Sequence, residues 1–162
     1  MDSNDSGKVI IDGKDISKYS RTQLTAYRRT DVGFVFQFYN LVANLTAKEN
    51  VELASEIMKD AQEPTQALID VGLQDRINNF PAQLSGGGQR RVAIARALVG
   101  DPDLLICDEP TGALDTETGD MVADILFRHV RELGVTLILV THDPQLAARC
   151  ERRLTIDRGR LS

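Results

Sequence analysis

The sequence predicts an α/β domain: a mostly parallel sheet with helices packed on its faces. Three observations predict it. The short apolar runs Leu104-Leu105-Ile106-Cys107 and Leu137-Ile138-Leu139-Val140 read as buried strands. Between them, Val122, Ile125, Leu126, Val130 and Leu133 form one stripe of a helix from Thr116 to Leu133, with Gly134 at its end. Ahead of the first run, Ser85-Gly86-Gly87-Gly88 opens another helix. The 162 residues suffice for one domain with a real core, and 42% hydrophobic with 27% charged residues is the composition of an ordinary soluble globular protein.

Composition also excludes function classes. No apolar run approaches the roughly 20 residues of a membrane helix, and the polar, acidic start carries no secretory pattern. A net charge of −5 argues against broad nucleic-acid binding. The cluster Arg149, Arg152, Arg153, Arg158 and Arg160 reads as a solvated face. Cys107 and Cys150 do not make a disulfide framework; Cys107 reads as a small core residue, and a reducing cytoplasmic compartment follows.

In chain order, Val9-Ile10-Ile11 before Asp12-Gly13 reads as a strand closing in a tight turn. Ser20 and Gln23 have capping-box spacing and open a short helix through roughly Arg29. Val32 to Phe36 reads as a strand with Gln37 at its carboxyl end, the edge where ligands gather in open α/β sheets. Phe38 and Tyr39 suit core and interface equally. Thr46 and Glu49 make a second capping box, for a helix reaching about Met58 or Lys59. Pro64 to Val71 suggests another helix, stopped by Gly72. The helix from Gly88 to Val99 turns nearly all apolar after Val92, which implies burial on most sides. His129 reads as structural or exposed. Thr136 to Thr141 is a strand with His142 at its carboxyl edge, and Arg153 to Asp157 is a last short strand before the turn Arg158-Gly159.

The chemistry concentrates between Leu84 and Asp115. Ser85 can cap its helix, the glycines admit a group close to the backbone, and free N–H groups at a helix start favour an anion. The run after Leu104 delivers Asp108 and Glu109: a rigid oxygen ligand suited to Mg²⁺, and a neighbour able to take a proton from water. These residues resemble the nucleotide-binding cassette of ABC transporters. Leu84-Ser85-Gly86-Gly87 looks like the signature loop, Leu104–Asp108 like Walker B, Glu109 like the catalytic glutamate, and Ala113-Leu114-Asp115 like the D-loop.

The resemblance implies a P-loop NTPase fold of ABC type. Residues 1–37 and 85–162 would form its α/β core and about 38–84 a helical subdomain. It implies ATP and Mg²⁺ as cofactors, with Asp108 and Gln37 at the metal and Glu109 and His142 as catalytic residues. Gln37, Ser85, Gly86, Gly87 and Asp115 would contact ATP or bridge its two sites. The implied partners are membrane permease subunits and a second cassette paired head to tail, at the cytoplasmic face of the membrane. The run Glu109 to Asp115 and the segment Phe38-Tyr39-Asn40-Leu41 look like the lipoprotein-release and macrolide- or peptide-export branch.

Three departures stand against the family pattern. Gly7-Lys8 matches only part of Gly-x-x-x-x-Gly-Lys-Ser/Thr, since Asp2 and Val9 occupy the other defining positions, so Ser6-Gly7-Lys8 reads as a turn. The Walker A strand, loop and helix are expected to be missing, as is the upstream aromatic that stacks on adenine. An open sheet edge and a chain inactive alone are expected to follow. Within the signature helix, Gly88 replaces the usual acidic or amide residue, and Arg90 replaces a glutamine and adds charge beside a phosphate site. Two other readings are a catalytically inert ABC-like binding module and a non-transport ABC ATPase of DNA repair or translation.

Overall fold

The computed structural model describes residues 7–11, 13–58 and 60–161. Its elements run β1 (Ile10–Ile11), β2 (Lys14–Asp15), α1 (Arg21–Thr30), β3 (Val32–Val35), α2 (Ala47–Ser55), α3 (Pro64–Asp70), α4 (Gly86–Leu98), β4 (Leu104–Asp108), α5 (Thr116–Leu133), β5 (Thr136–Val140), α6 (Pro144–Ala147), β6 (Ile156–Asp157) and β7 (Arg160–Leu161). Asp12, Lys59 and Ser6, invoked above for a turn, a helix end and a turn, lie outside the described residues.

Local chemistry sets most boundaries. Ser20 caps α1 through Gln23 N–H while the Gln23 side chain accepts the Ser20 N–H, and Thr46 and Glu49 do the same for α2. Asp115 caps α5 by accepting the Thr118 N–H, and Gly134 ends that helix in the left-handed region at φ 69°. Helix α4 starts at Gly86, two residues earlier than expected, because Ser85 caps it by accepting from Gly88 N–H. Helix α2 stops at Ser55, short of Met58. Helix α6 was not expected; Asp143 caps it with Pro144 at its first position.

Strands β3, β4 and β5 form one parallel sheet in that order. One face, including Val35, Leu105 and Cys107, packs on α4 and α5 in a core shared with Val51, Leu68, Val92, Ile94 and Leu126. Burial pushes the Cys107 thiol up to about 12, so it remains a neutral core side chain. The other face packs Val32 and Leu104 under Tyr27 of α1. Helices α2 and α3 lie against α4, which is why residues 93–95 of α4 are buried.

The expectation that β5 is buried on both faces is not met. Among the described residues it pairs with β4 alone, and alternate residues Ile138 and Val140 are 48% and 54% exposed. An unbroken apolar run requires partners on both sides to be buried, and here one edge and part of one face lack them. The C-terminal strand is likewise shortened to β6, which among the described residues pairs only with β7 and leaves Leu154 and Ile156 exposed.

Candidate functional site

The site is built where the parallel strands stop together. Val35, Cys107 and Leu139 lie in one row, and Asp108 faces Val140 in the next. Parallel strands in this register release their chains at the same edge. Gln37 therefore follows β3, Glu109 follows β4, and Thr141 and His142 follow β5 at one end of the sheet.

Glu109 is the best-held group there. Its backbone occupies the left-handed region at φ 47°, uncommon for a non-glycine residue and retained when surroundings enforce it. Glu109 N–H donates to Val140 O at 2.9 Å, and Gly112 N–H donates to Glu109 O at 3.0 Å. On the side chain, Oε1 accepts the His142 N–H at 2.8 Å and lies 2.7 Å from His142 Nδ1, while Oε2 accepts the Thr141 hydroxyl at 3.2 Å. The Glu109 side chain is mostly buried, whereas that of His142 is 87% exposed. A carboxylate anchored on one side, with Oε2 lone pairs remaining, can orient and deprotonate a water. Sequence reasoning found Glu109 and His142 but missed Thr141; its position next to an edge histidine was the available signal.

The His142 imidazole is held above its ordinary value of 6.5, first by its hydrogen bond to Glu109 and then by that carboxylate's charge. Its contribution to stability is complete below about pH 6.5 and is lost as pH rises through the raised folded-state value. An NMR titration of His142 is expected to show this upward shift, and Glu109→Gln to bring the midpoint back toward the ordinary value. A midpoint unaffected by Glu109→Gln would mean that the contact does not form in solution.

Asp108 ends β4 with an exposed carboxylate, and Gln37 is also exposed. Among the described residues no group of three or more His, Cys, Asp or Glu converges as a metal cage. The pair fits Mg²⁺ in a different way, since that ion keeps several waters and takes one or two carboxylates alongside phosphates. Asp115 spends its carboxyl on the Thr118 N–H, a bond that lowers its pKa from the ordinary value.

The Ser85 segment sits against the Asp115 turn rather than against Glu109. A Cβ placed on Gly86 would lie 3.0 Å from the Tyr39 hydroxyl and 3.4 Å from Leu114, and one on Gly87 would lie 2.3 Å from Thr118 Cγ2. Ser85 is exposed, while Gly87 is buried. Phe38 projects from the surface at 77% exposure; Tyr39 is half-buried. His129 is buried, with Nδ1 2.8 Å from Ile125 O, a structural placement.

Arg90 corrects the sequence reading. It does not add charge beside a phosphate site; its side chain is 0% exposed inside the domain. Nη1 donates to Phe36 O at 2.6 Å, and Nη2 donates to Gln37 O at 3.1 Å and Gly112 O at 3.2 Å. The Tyr39 ring lies 4.7 Å from its Cζ. Position 90 falls on the inward face of α4, so a long donor there reaches the two loops beyond the sheet edge.

Comparisons with known proteins agree with this geometry. The ABC transporter family pattern matches residues 1–112. The chain is 47% identical over 166 residues to the ABC transporter ATP-binding protein YbbA of Escherichia coli strain K12, covering 99% of this chain and 73% of that protein. It is 43% identical to the lipoprotein-releasing system ATP-binding protein LolD of Syntrophus aciditrophicus, covering 99% and 74%. The dimeric post-hydrolysis structure of the ATP-binding cassette MJ0796, bound to ADP and Pi, superposes with a TM-score of 0.84 at 38% identity, covering 99% of this chain and 73% of that one.

Proposed function

Because the chain belongs to the ABC transporter family as an ATP-binding domain, we propose that its sheet edge supplies the hydrolytic groups that drive transport through a membrane permease, and that the chain alone binds Mg-ATP poorly. The observation that carries the first part is Glu109, fixed between Thr141 and His142 beside Asp108. Glu109 takes the proton of the attacking water. His142 and Gln37 orient the phosphate and the nucleophile, and Asp108 holds Mg²⁺ directly or through water. Bound Mg-ATP supplies the transferable phosphoryl group and the neutralisation of its charge; the chain's own work is positioning. Ser85 and the backbone around Gly86 and Gly87 face a nucleotide held by a second cassette, with Asp115 at the junction. Residues 38–84 form the helical subdomain and carry Phe38 toward the permease. The site therefore works at the cytoplasmic face of the membrane; no helix among the described residues is long and apolar enough to cross it.

The second part rests on where the lysines lie. Lys14, Lys18 and Lys48 are engaged with Asp103, Asp15 and Glu52, and Asp103 stands at the amino end of β4, opposite the carboxyl edge that holds Glu109. Phosphoryl-transfer sites of this class use a phosphate loop with a lysine, and none of these three lysines is placed to serve it. Titration calorimetry with Mg-ATP is expected to give no binding into the millimolar range, and a Walker A strand, loop and helix supplied ahead of residue 1 to restore binding and turnover. Glu109→Gln in that extended protein is then expected to keep binding and lose turnover. Micromolar binding by the chain alone would overturn the second part; turnover surviving Glu109→Gln would overturn the first.

A further inference from the structure

We infer that Arg90 is a positioning residue that locks the loop carrying Gln37 to the turn carrying Glu109, through one guanidinium shared between their backbone carbonyls. Burying a guanidinium is costly unless its donors are met. Here three of its N–H groups are met by main-chain oxygens and the Tyr39 ring lies against it, with no acidic side chain paired to it among the described residues and with Nε left without a partner. The geometry is specific. Nη2 alone donates to both Gln37 O and Gly112 O, so a single nitrogen joins two loops from different strands. Gly112 in turn closes a turn on Glu109, its N–H donating to Glu109 O at 3.0 Å. A displacement of the Gln37 loop is thereby passed to the turn that sets Glu109.

The same residue ties these loops to the Ser85 segment, because Arg90 lies on the second turn of α4. Helix α4 repeats the device twice: Arg91 donates to Val71 O at 3.2 Å and Gly72 O at 2.9 Å, and Arg96 donates to Asn40 O at 2.7 Å and Tyr39 O at 3.1 Å. Among the described arginines of α4, Arg90 is the one that reaches across to the Glu109 turn. A lysine would keep the charge but offers a single nitrogen rather than a planar fork. A methionine would keep most of the buried stem and lose every donor.

This inference rests on the roles proposed above for Gln37 and Glu109, but its test needs no nucleotide. Amide hydrogen exchange is followed by mass spectrometry on the full chain and on Arg90→Lys and Arg90→Met. In both variants the amides of residues 37–40 and 111–114 are expected to exchange about tenfold faster and by a common factor, while α5 is unchanged. Acceleration spread over the whole chain would make Arg90 merely a core residue, and loosening of one loop alone would break the link; either result overturns the inference. Full protection in Arg90→Lys would do so as well, since charge alone would then suffice. Should the variants not fold, the unmodified chain still decides. Scalar couplings across hydrogen bonds from Arg90 Nη to the carbonyl carbons of both Gln37 and Gly112 are expected, and coupling to only one of them would overturn the shared contact. Weak Mg-ATP binding, or none, leaves these readouts untouched.

Discussion

Gly33→Ala is expected to lower the stability of the chain by about 3 kcal/mol, the upper part of the range for overpacking a core. A Cβ on Gly33 would lie 2.4 Å from the Ala97 carbonyl oxygen and 2.9 Å from Leu105 Cδ1. The first of these atoms is backbone near the end of α4, which cannot swing aside as a side chain can. Relief therefore requires β3 and α4 to separate, and both are central: β3 leads to Gln37, and α4 carries Ser85 and Arg90. For a chain of this size each kcal/mol moves the melting midpoint by about 2–4 °C, so a fall of about 6–12 °C is expected. Urea denaturation provides the check, with an unchanged slope and a lower midpoint. Gly134→Ala is the comparison. No atom lies within 4 Å of that Cβ, and only the left-handed backbone at φ 69° opposes it, for a loss of about 1 kcal/mol. Equal losses at the two sites would mean that α4 does not approach β3 as closely as described.

What could be read from the sequence depends on how local each cause is. The capping boxes at Ser20 and Thr46 were legible because both partners lie within one turn. The stripe of α5 and its glycine end were legible for the same reason. So was the gathering of Gln37, Glu109 and His142, since parallel strands deliver the residues beyond their carboxyl ends to one edge. The exposure of β5 was not legible in its own residues, although an open sheet edge was expected. Its apolar run shows that it can be buried, but burial is decided by neighbours far away in the chain. Arg90 was misread because its partners are 53, 54 and 22 residues away and all are backbone oxygens, which leave no side-chain pattern to find. The segment from Phe36 to Thr46 has no regular secondary structure, yet its polar backbone is held by side chains projecting from α4 and α2. Satisfying main-chain groups this way is what a non-repetitive loop requires.

Asn50 is the α2 member of that set, and its replacement is expected to be among the most damaging single changes in the chain. It is wholly buried. Its Oδ1 accepts the Val42 N–H at 2.7 Å, and its Nδ2 donates toward Val42 O at 3.1 Å, Leu45 O at 3.0 Å and Thr46 O at 2.9 Å. Asn50→Ala leaves the Val42 N–H and Leu45 O without a partner, while Val42 O and Thr46 O keep the Leu45 and Asn50 backbone N–H groups; the expected loss is about 3 kcal/mol, since buried unsatisfied groups cost about 1–3 kcal/mol each and some will reach water. Asn50→Asp is nearly isosteric but turns a carboxylate oxygen toward carbonyl oxygens, so at neutral pH it is expected to be the less stable of the two. The sign of its pH dependence can be worked out. The protonated acid can still donate one hydrogen bond, so the folded state raises the carboxyl above its unfolded value of about 3.9. Stability relative to Asn50→Ala then falls as pH rises above that value and recovers in mild acid. Urea midpoints of the two variants at neutral and mildly acidic pH measure it, and a gap between them independent of pH would show that water, rather than Asn50, satisfies this loop.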